Sequence, residues 1–324
     1  MTCLPGKYLE ESSLNIDFIC PIQKVFLKDV NTYIDYKMYI VPSSTAYGLS
    51  EKLASILSAD ISEVERKRFP DNEMYVRVKE DISGQDVMVI GNTKNDSDLI
   101  EYLLLLNAVR EEDPKSLTAI IPYFGYARQH MRYHSGEPIS SKVFTEAISE
   151  YADRIISVEL HNDQTIKYSK VPFINIKIMN PIYQYFKNGD IDYIISPDDG
   201  GYERARNLAN KLGVESYYIN KKRINSNTVQ MDLPNVNYKN KNVLLVDDII
   251  STGGTIIRAS QMLKDRGVNQ IGVCAVHGIF AGNSDKKISD IATNLIVTDT
   301  IESKYSKITI AGEIASALLN KIRA

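Results

Sequence analysis

The chain has 324 residues, 44% of them hydrophobic and 24% charged, with a net charge of −3. That length and balance suit a globular enzyme of two domains and leave no general basic surface for nucleic acid. No apolar run reaches membrane-spanning length and the N-terminus lacks the order of a signal peptide, while three cysteines without metal-ligand spacing (Cys3, Cys20, Cys274) point to a reducing cytoplasm.

Residues 1–37 carry neither periodicity nor a motif and stand apart as an N-terminal extension, with Met38 an alternative start. From Met38 onward, strand-like runs alternate with helical patterns, which implies βαβ units and parallel sheets. Residues 39–41 read as a strand, and Leu49, Leu53, Ile56 and Leu57 share one face of the helix that follows. Arg68, Phe69, Pro70, Asp71, Asn72 and Glu73 set a base, a ring and two acids in a turn before a strand at 75–78. A helix is expected at 99–110, its apolar run 103–106 suited to a core or to a subunit contact. The strand at 119–122 then leads into a loop in which Arg128 and Arg132, with His130 and His134, precede the first acid, Glu137. Such a loop seeks an anion such as a triphosphate, and its rings suit stacking on a base. Gly125 and Gly136 at its two ends are placed to hinge a mobile lid.

In the second half, the strand at 155–160 ends on His161, a good position for a ligand-binding group. The strand at 193–195 runs into Ser196, Pro197, Asp198, Asp199, Gly200 and Gly201, with Arg204 and Arg206 one helical turn beyond. Lys221, Lys222 and Arg223 follow the strand at 216–219 and precede a polar stretch, either as a solvated face or as a flap that reaches a phosphate.

The stretch from Val243 to Thr255 carries the strongest signal. An apolar run, 242–246, reads as a buried strand that stops on two adjacent acids, Asp247 and Asp248. The turn Ser251, Thr252, Gly253, Gly254, Thr255 follows, and then a helix with Ile256, Ala259, Ser260 and Leu263 on one face and Gly267 at its C-terminal cap. Backbone N–H groups at such a helix start cradle a phosphate, and adjacent carboxylates suit the vicinal hydroxyls of a sugar or a metal bound to them. A phosphorylated sugar meets both demands. The stretch lacks the Lys of a Walker A loop and the three-glycine spacing of a dinucleotide fold. A repeat is also visible: Pro42 and Pro197 (197 − 42 = 155), Gly91 and Val246 (246 − 91 = 155), and Pro122 and His277 (277 − 122 = 155) occupy matching places after similar strands. Three anchors at one offset suggest two copies of one α/β domain, of which only the second keeps the acidic cradle.

The cradle resembles the phosphoribosyl-binding signature of type I phosphoribosyltransferases. Together with Arg68 to Glu73, Pro122 to Gln129, Gly136 to Ser140 and Ser196 to Gly201, all in this order, it makes the stretch from Met38 to Ala324 resemble the ribose-phosphate pyrophosphokinase family. The length and the short flap at Lys221 to Arg223 are similar to the archaeal-type branch. The resemblance implies two tandem type I phosphoribosyltransferase-like domains, each a mainly parallel sheet flanked by helices. An N-terminal ATP-loop domain would cover 38–177 plus 305–324, and a ribose-5-phosphate-binding domain 178–304.

The resemblance further implies that the β,γ-diphosphoryl group of ATP passes to the 1-hydroxyl of ribose 5-phosphate, giving 5-phosphoribosyl 1-diphosphate and AMP. Mg²⁺ would be required, and the enzyme would be a homo-oligomer. Carried over motif by motif, Asp247 and Asp248 would hold the ribose hydroxyls, and Ser251, Thr252, Gly253, Gly254 and Thr255 the 5-phosphate. Arg128 and Gln129 would bind ATP, and Phe69, Asp71 and Glu73 would reach the adenine site of a neighbouring subunit. His161 and Asp198 would bind Mg²⁺, directly or through water, and Lys221 and Arg223 would close on the transferring group. The chain departs from the family pattern at His130, where Asp is more usual, and at Asn162 and Asp163, which replace a small residue and Gln before Gln164. A phosphoribosyltransferase would share the cradle without needing the ATP loop. A non-catalytic regulatory paralogue would lack metal or flap residues, whereas His161, Asp198, Lys221 and Arg223 are all present.

Overall fold

The computed structural model describes residues 37–223 and 229–319. Apart from Lys37, the expected N-terminal extension lies outside the described residues, as does the polar stretch after Arg223 up to residue 228.

Two six-stranded sheets dominate the chain. Across the first, the strands lie in the order Asp60–Ile61, Met38–Pro42, Asp86–Ile90, Ser116–Ile121, Arg154–Val158, Phe173–Ile176, and every pairing is parallel. Across the second the order is Glu215–Tyr218, Tyr193–Ser196, Asn242–Ile250, Gln270–Gly278, Asn294–Thr298, Ser306–Ile308, again all parallel. The two orders are the same when counted along the chain. Each sheet also receives a two-stranded antiparallel insertion at the same place, after its second strand: Val64–Arg68 with Met74–Val78, and Asn220–Arg223 with Val229–Asp232. The repeat read from the sequence is therefore a repeat of topology, down to the inserted hairpin.

Apolar runs such as Val87 to Ile90 and Val243 to Val246 are buried on both sides, as continuous apolar strands of parallel sheets should be. One core is shared by the two sheets. Ile40, Ile90 and Ile156 of the first and Ile194, Val246 and Val276 of the second belong to it, with helices Tyr47–Leu57, Met179–Phe186, Tyr202–Leu212 and Ala311–Leu319 contributing the rest. The opposite face of each sheet has its own core, covered by helices that include Asp96–Glu111 on the first and Gly254–Asp265 on the second. Each fully buried Leu or Ile contributes about 1.5–3 kcal/mol of burial free energy to this core.

The sheet pairing moves one expected boundary. Ser306–Ile308 is the edge strand of the second sheet, so the chain returns to the first half after it rather than at Tyr305. The terminal helix Ala311–Leu319 then packs against Tyr47–Leu57. Among the described residues, no helix is long and apolar enough to cross a membrane.

Candidate active site

In both sheets the chain order reverses between the first and third strands. The carboxyl ends of strands at such a switch point form a natural crevice. In the second sheet, Tyr193–Ser196 ends there on the turn that holds Asp198, and Asn242–Ile250 brings Asp247 and Asp248 to the same edge. The strand does not stop at these acids, as its apolar run suggested. Asp247 pairs with Ala275 and Ile249 with His277 in one unshifted register, and the strand runs on because Ile249 and Ile250 return to buried apolar surroundings. The acids thus lie inside a continuous strand, with the Asp248 N–H donating to Asp247 Oδ1 at 2.8 Å.

The turn beyond is fixed by Gly253, whose φ of 71° is left-handed and whose Cβ, if present, would lie 2.9 Å from that of Ser284. Only glycine fits both demands. Helix Gly254–Asp265 starts from it, and the first N–H groups of a helix have no acceptor within it, which leaves them for an anion.

His161 arrives from the other sheet. Its Nδ1 lies 2.8 Å from Asp248 Oδ2, so the end of the strand Arg154–Val158 meets the acids of the second half directly. Asp198 accepts from the Gly201 N–H at 3.2 Å through one oxygen and faces Lys221 Nζ at 2.8 Å with the other. The Lys221 ammonium also stands 3.5 Å from Thr255 Oγ1 at the cradle. The sequence left Lys221 open as a solvated or flap residue; here it lies in a β-ribbon, drawn to the site by a carboxylate. Arg128 lines the same cleft as His161, Tyr123 and His277, and the Gln129 side chain accepts from Ser140 Oγ at 2.5 Å. The side chain of Arg223 lies outside the described residues.

Phe69, Asp71 and Glu73 are elsewhere. They form the tip of the first inserted hairpin, closed by a 2.9 Å hydrogen bond from the Phe69 N–H to the Glu73 carbonyl, with Phe69 44% exposed. Among the described contacts, none joins this tip to the acids. His130, at a departure from the family pattern, touches Asn162, at another: His130 Nε2 and Asn162 Nδ2 are 3.2 Å apart.

The two adjacent acids differ in charge. Burial, then the charge of Asp248, pushes the Asp247 carboxyl up to about 8. Burial also opposes ionisation of Asp248, but the hydrogen bond with His161 and the field of Arg204 outweigh it and hold that carboxyl well below the usual range. The pair therefore resists carrying two charges, and Asp247 is the acid whose ionisation burial and its neighbour oppose. In the unfolded chain Asp247 titrates near 3.8, so between there and about 8 the folded state binds the extra proton and loses stability as pH rises. We expect Asp247→Asn to raise Tm more at pH 8.5 than at pH 5, measured by scanning calorimetry without ligand. An equal change at both values would contradict the assignment.

Three residues of the site's surroundings went unread in the sequence or were noted without a role. Glu159 stands two residues before His161, Arg204 follows the Asp198 turn, and His277 ends a strand. The repeat had marked His277 as the counterpart of Pro122, the only signal available for it.

Residues 38–151 match the N-terminal domain of ribose phosphate pyrophosphokinase, and residues 167–306 a phosphoribosyl transferase domain. The ribose-phosphate pyrophosphokinase of Thermoplasma acidophilum is 43% identical over 284 residues, covering 88% of this chain and 99% of that protein. The chain belongs to the ribose-phosphate pyrophosphokinase family. The pyrophosphokinase of Thermococcus kodakarensis is 39% identical over 260 residues, covering 79% of this chain and 92% of the other. A crystal structure of phosphoribosylpyrophosphate synthetase from Mycobacterium smegmatis superposes with a TM-score of 0.78 at 26% identity, covering 89% of this chain and 99% of that one. Membership in the pyrophosphokinase family accounts for two features the phosphoribosyltransferase cradle alone leaves unexplained: the first sheet and its Arg128 loop.

Proposed function

We propose that this pyrophosphokinase transfers the β,γ-diphosphoryl group of ATP to the 1-hydroxyl of ribose 5-phosphate. The observation that carries the reading is the 2.8 Å contact between His161, at the end of a first-sheet strand, and Asp248 of the sugar-phosphate cradle. That contact puts two anion-seeking halves on one crevice. Asp247 and Asp248 would take the ribose hydroxyls, residues 251–255 the 5-phosphate, and Arg128 and Gln129 the ATP. Lys221, and with it Arg223, would turn to the transferring group. No covalent nucleophile is needed, so catalysis rests on alignment and charge neutralisation.

A divalent metal suits the donors present. Among the described residues, no group of three or more His, Cys, Asp or Glu could cage an ion. Mg²⁺ does not require one, since it keeps waters and binds through one or two carboxylates plus substrate phosphates. Asp198 offers a carboxylate 41% exposed, and with Nδ1 of His161 engaged by Asp248, Nε2 is the nitrogen left to face a metal or its water. When bound, Mg²⁺ would neutralise charge on the polyphosphate.

The exposed hairpin tip at Phe69 and the exposed Ile100 and Leu104 on helix Asp96–Glu111 support a homo-oligomer in which the tip completes a neighbour's adenine site. We likewise assign 178–308 to the ribose-5-phosphate half and the remaining described residues to the ATP half. The test is incubation with ATP, ribose 5-phosphate and Mg²⁺. AMP should form only when all three are present, and sedimentation of the same sample should show a species heavier than 36.5 kDa. ADP as the sole nucleotide product would replace this reading with an ordinary kinase, and a fully active monomer would remove the shared adenine site.

A further inference from the structure

Between the strand Arg154–Val158 and His161, the backbone turns at Glu159 with a φ of 42°. A non-glycine residue in the left-handed region costs about 1–3 kcal/mol and persists where its surroundings hold it there. The surroundings here are unusually complete. Glu159 is 6% exposed, and its Oε1 accepts from the Ile178 N–H at 2.9 Å. Its Oε2 faces Arg204 Nη2 at 3.6 Å and Lys177 Nζ at 3.8 Å. Its main-chain carbonyl lies 3.3 Å from Nε2 of His277, a fully buried imidazole of the second sheet whose Nδ1 is 2.9 Å from Thr300 Oγ1. A carbonyl can only accept, so Nε2 carries a proton of His277 toward Glu159. One residue of the first sheet is thus held by a strand and a helix of the second.

The geometry points to Glu159 as a positioning residue, which pins the strand end carrying His161 to the helix behind the Asp198 turn and so fixes His161 on Asp248. The assignment rests on the diphosphoryl-transfer reading of the crevice. A glycine would relieve the backbone but supply no carboxylate, and a buried carboxylate is tolerable only when paired. Arg204 is the pair that matters. It sits on helix Tyr202–Leu212, directly after the turn of Asp198, and its charge also reaches Asp248. With Glu159 in place, Arg204 is held to one side; without that charge, Asp248 is the carboxylate left to attract it, at the expense of His161. Glu159 need not touch either substrate. It decides whether the two half-sites meet in register.

Glu159→Gln keeps the shape and the acceptor for the Ile178 N–H while removing the charge that faces Arg204. We expect kcat to fall by roughly 10–100-fold, as for an ångström-scale misplacement of reacting groups, with the KM for ATP within about twofold of the parent. Glu159→Asp, which keeps the charge, should recover most of the loss. Independently of turnover, the ¹⁵N resonance of His161 Nδ1 in the ligand-free protein should shift in Glu159→Gln, because its bond to Asp248 is lost. A folded Glu159→Gln protein with kcat within about twofold of the parent and an unmoved His161 signal would overturn the assignment and leave Glu159 a packing residue. If the parent itself makes no AMP, the proposed reaction fails, and the His161 resonance alone decides the positioning role. Should Glu159→Gln not fold, Arg204→Lys, which loses the guanidinium fork, is subject to the same two readings.

Discussion

Lys221→Ala should lower kcat by about 10²–10³ and leave the KM for both substrates nearly unchanged, a loss of roughly 2.7–4 kcal/mol of transition-state stabilisation. The argument starts from where the ammonium rests without ligand. Its Nζ is 2.8 Å from Asp198 and 3.5 Å from Thr255 Oγ1, with the side chain 27% exposed. The ion pair with a half-exposed Asp198 is worth little in itself, so a diphosphoryl group entering the crevice can take the lysine from it without much cost. The strand Asn220–Arg223 then supplies the base from which the charge is aimed. A group that meets charge chiefly as bonds change appears in kcat rather than in KM. Steady-state kinetics at saturating Mg²⁺ measure this. Near-parental kcat would reduce Lys221 to a surface partner of Asp198, and a change confined to the KM for ATP would make it a ground-state binding residue.

Asp248→Asn should weaken ribose 5-phosphate far more than ATP. One charge-assisted hydrogen bond to a sugar hydroxyl is worth about 1.5–3 kcal/mol, or roughly 10–150-fold in the KM for the sugar phosphate. The second consequence is local. His161 loses the ionised acceptor at 2.8 Å, so kcat should fall as well, though the cradle at 251–255 remains. Initial rates across both substrates, each at saturating levels of the other, separate the two effects. An effect confined to the KM for ATP would mean that the sugar and nucleotide sites are assigned the wrong way round.

Much of the fold is legible in the sequence. Apolar runs bounded by small-residue turns marked the parallel strands, since a strand buried on both faces has no room for alternation. Adjacent acids followed by Gly253 and Gly254 marked the turn into a helix, because a left-handed backbone selects glycine there. Matching offsets at Pro42, Gly91 and Pro122 marked the duplication. What stayed hidden depends on partners distant in sequence. Nothing local says that the strand continues to Ile250, since the reason lies in the core that receives Ile249 and Ile250. Nothing near Lys221 names Asp198 as its partner, and Glu159 looks like any acid before a histidine until Arg204 and His277 are brought against it. The inserted hairpins were read as a charged turn and a basic triplet, and their equivalence emerges only from the shared strand order.

The core shared by the two sheets bears on how such a chain could have arisen. Ile40, Ile90 and Ile156 of one copy and Ile194, Val246 and Val276 of the other join one cluster through helices Tyr47–Leu57 and Ala311–Leu319, which pack on the first sheet, and Met179–Phe186 and Tyr202–Leu212, which pack on the second. A lone copy would expose part of that helical layer to water, and each large apolar side chain uncovered would cost up to about 1.5–3 kcal/mol. A one-domain ancestor would therefore gain from a second molecule that covers it. Gene duplication and fusion would have turned that association between molecules into one within a molecule, leaving the two copies free to diverge, with Asn92 and Thr93 where the second copy has Asp247 and Asp248.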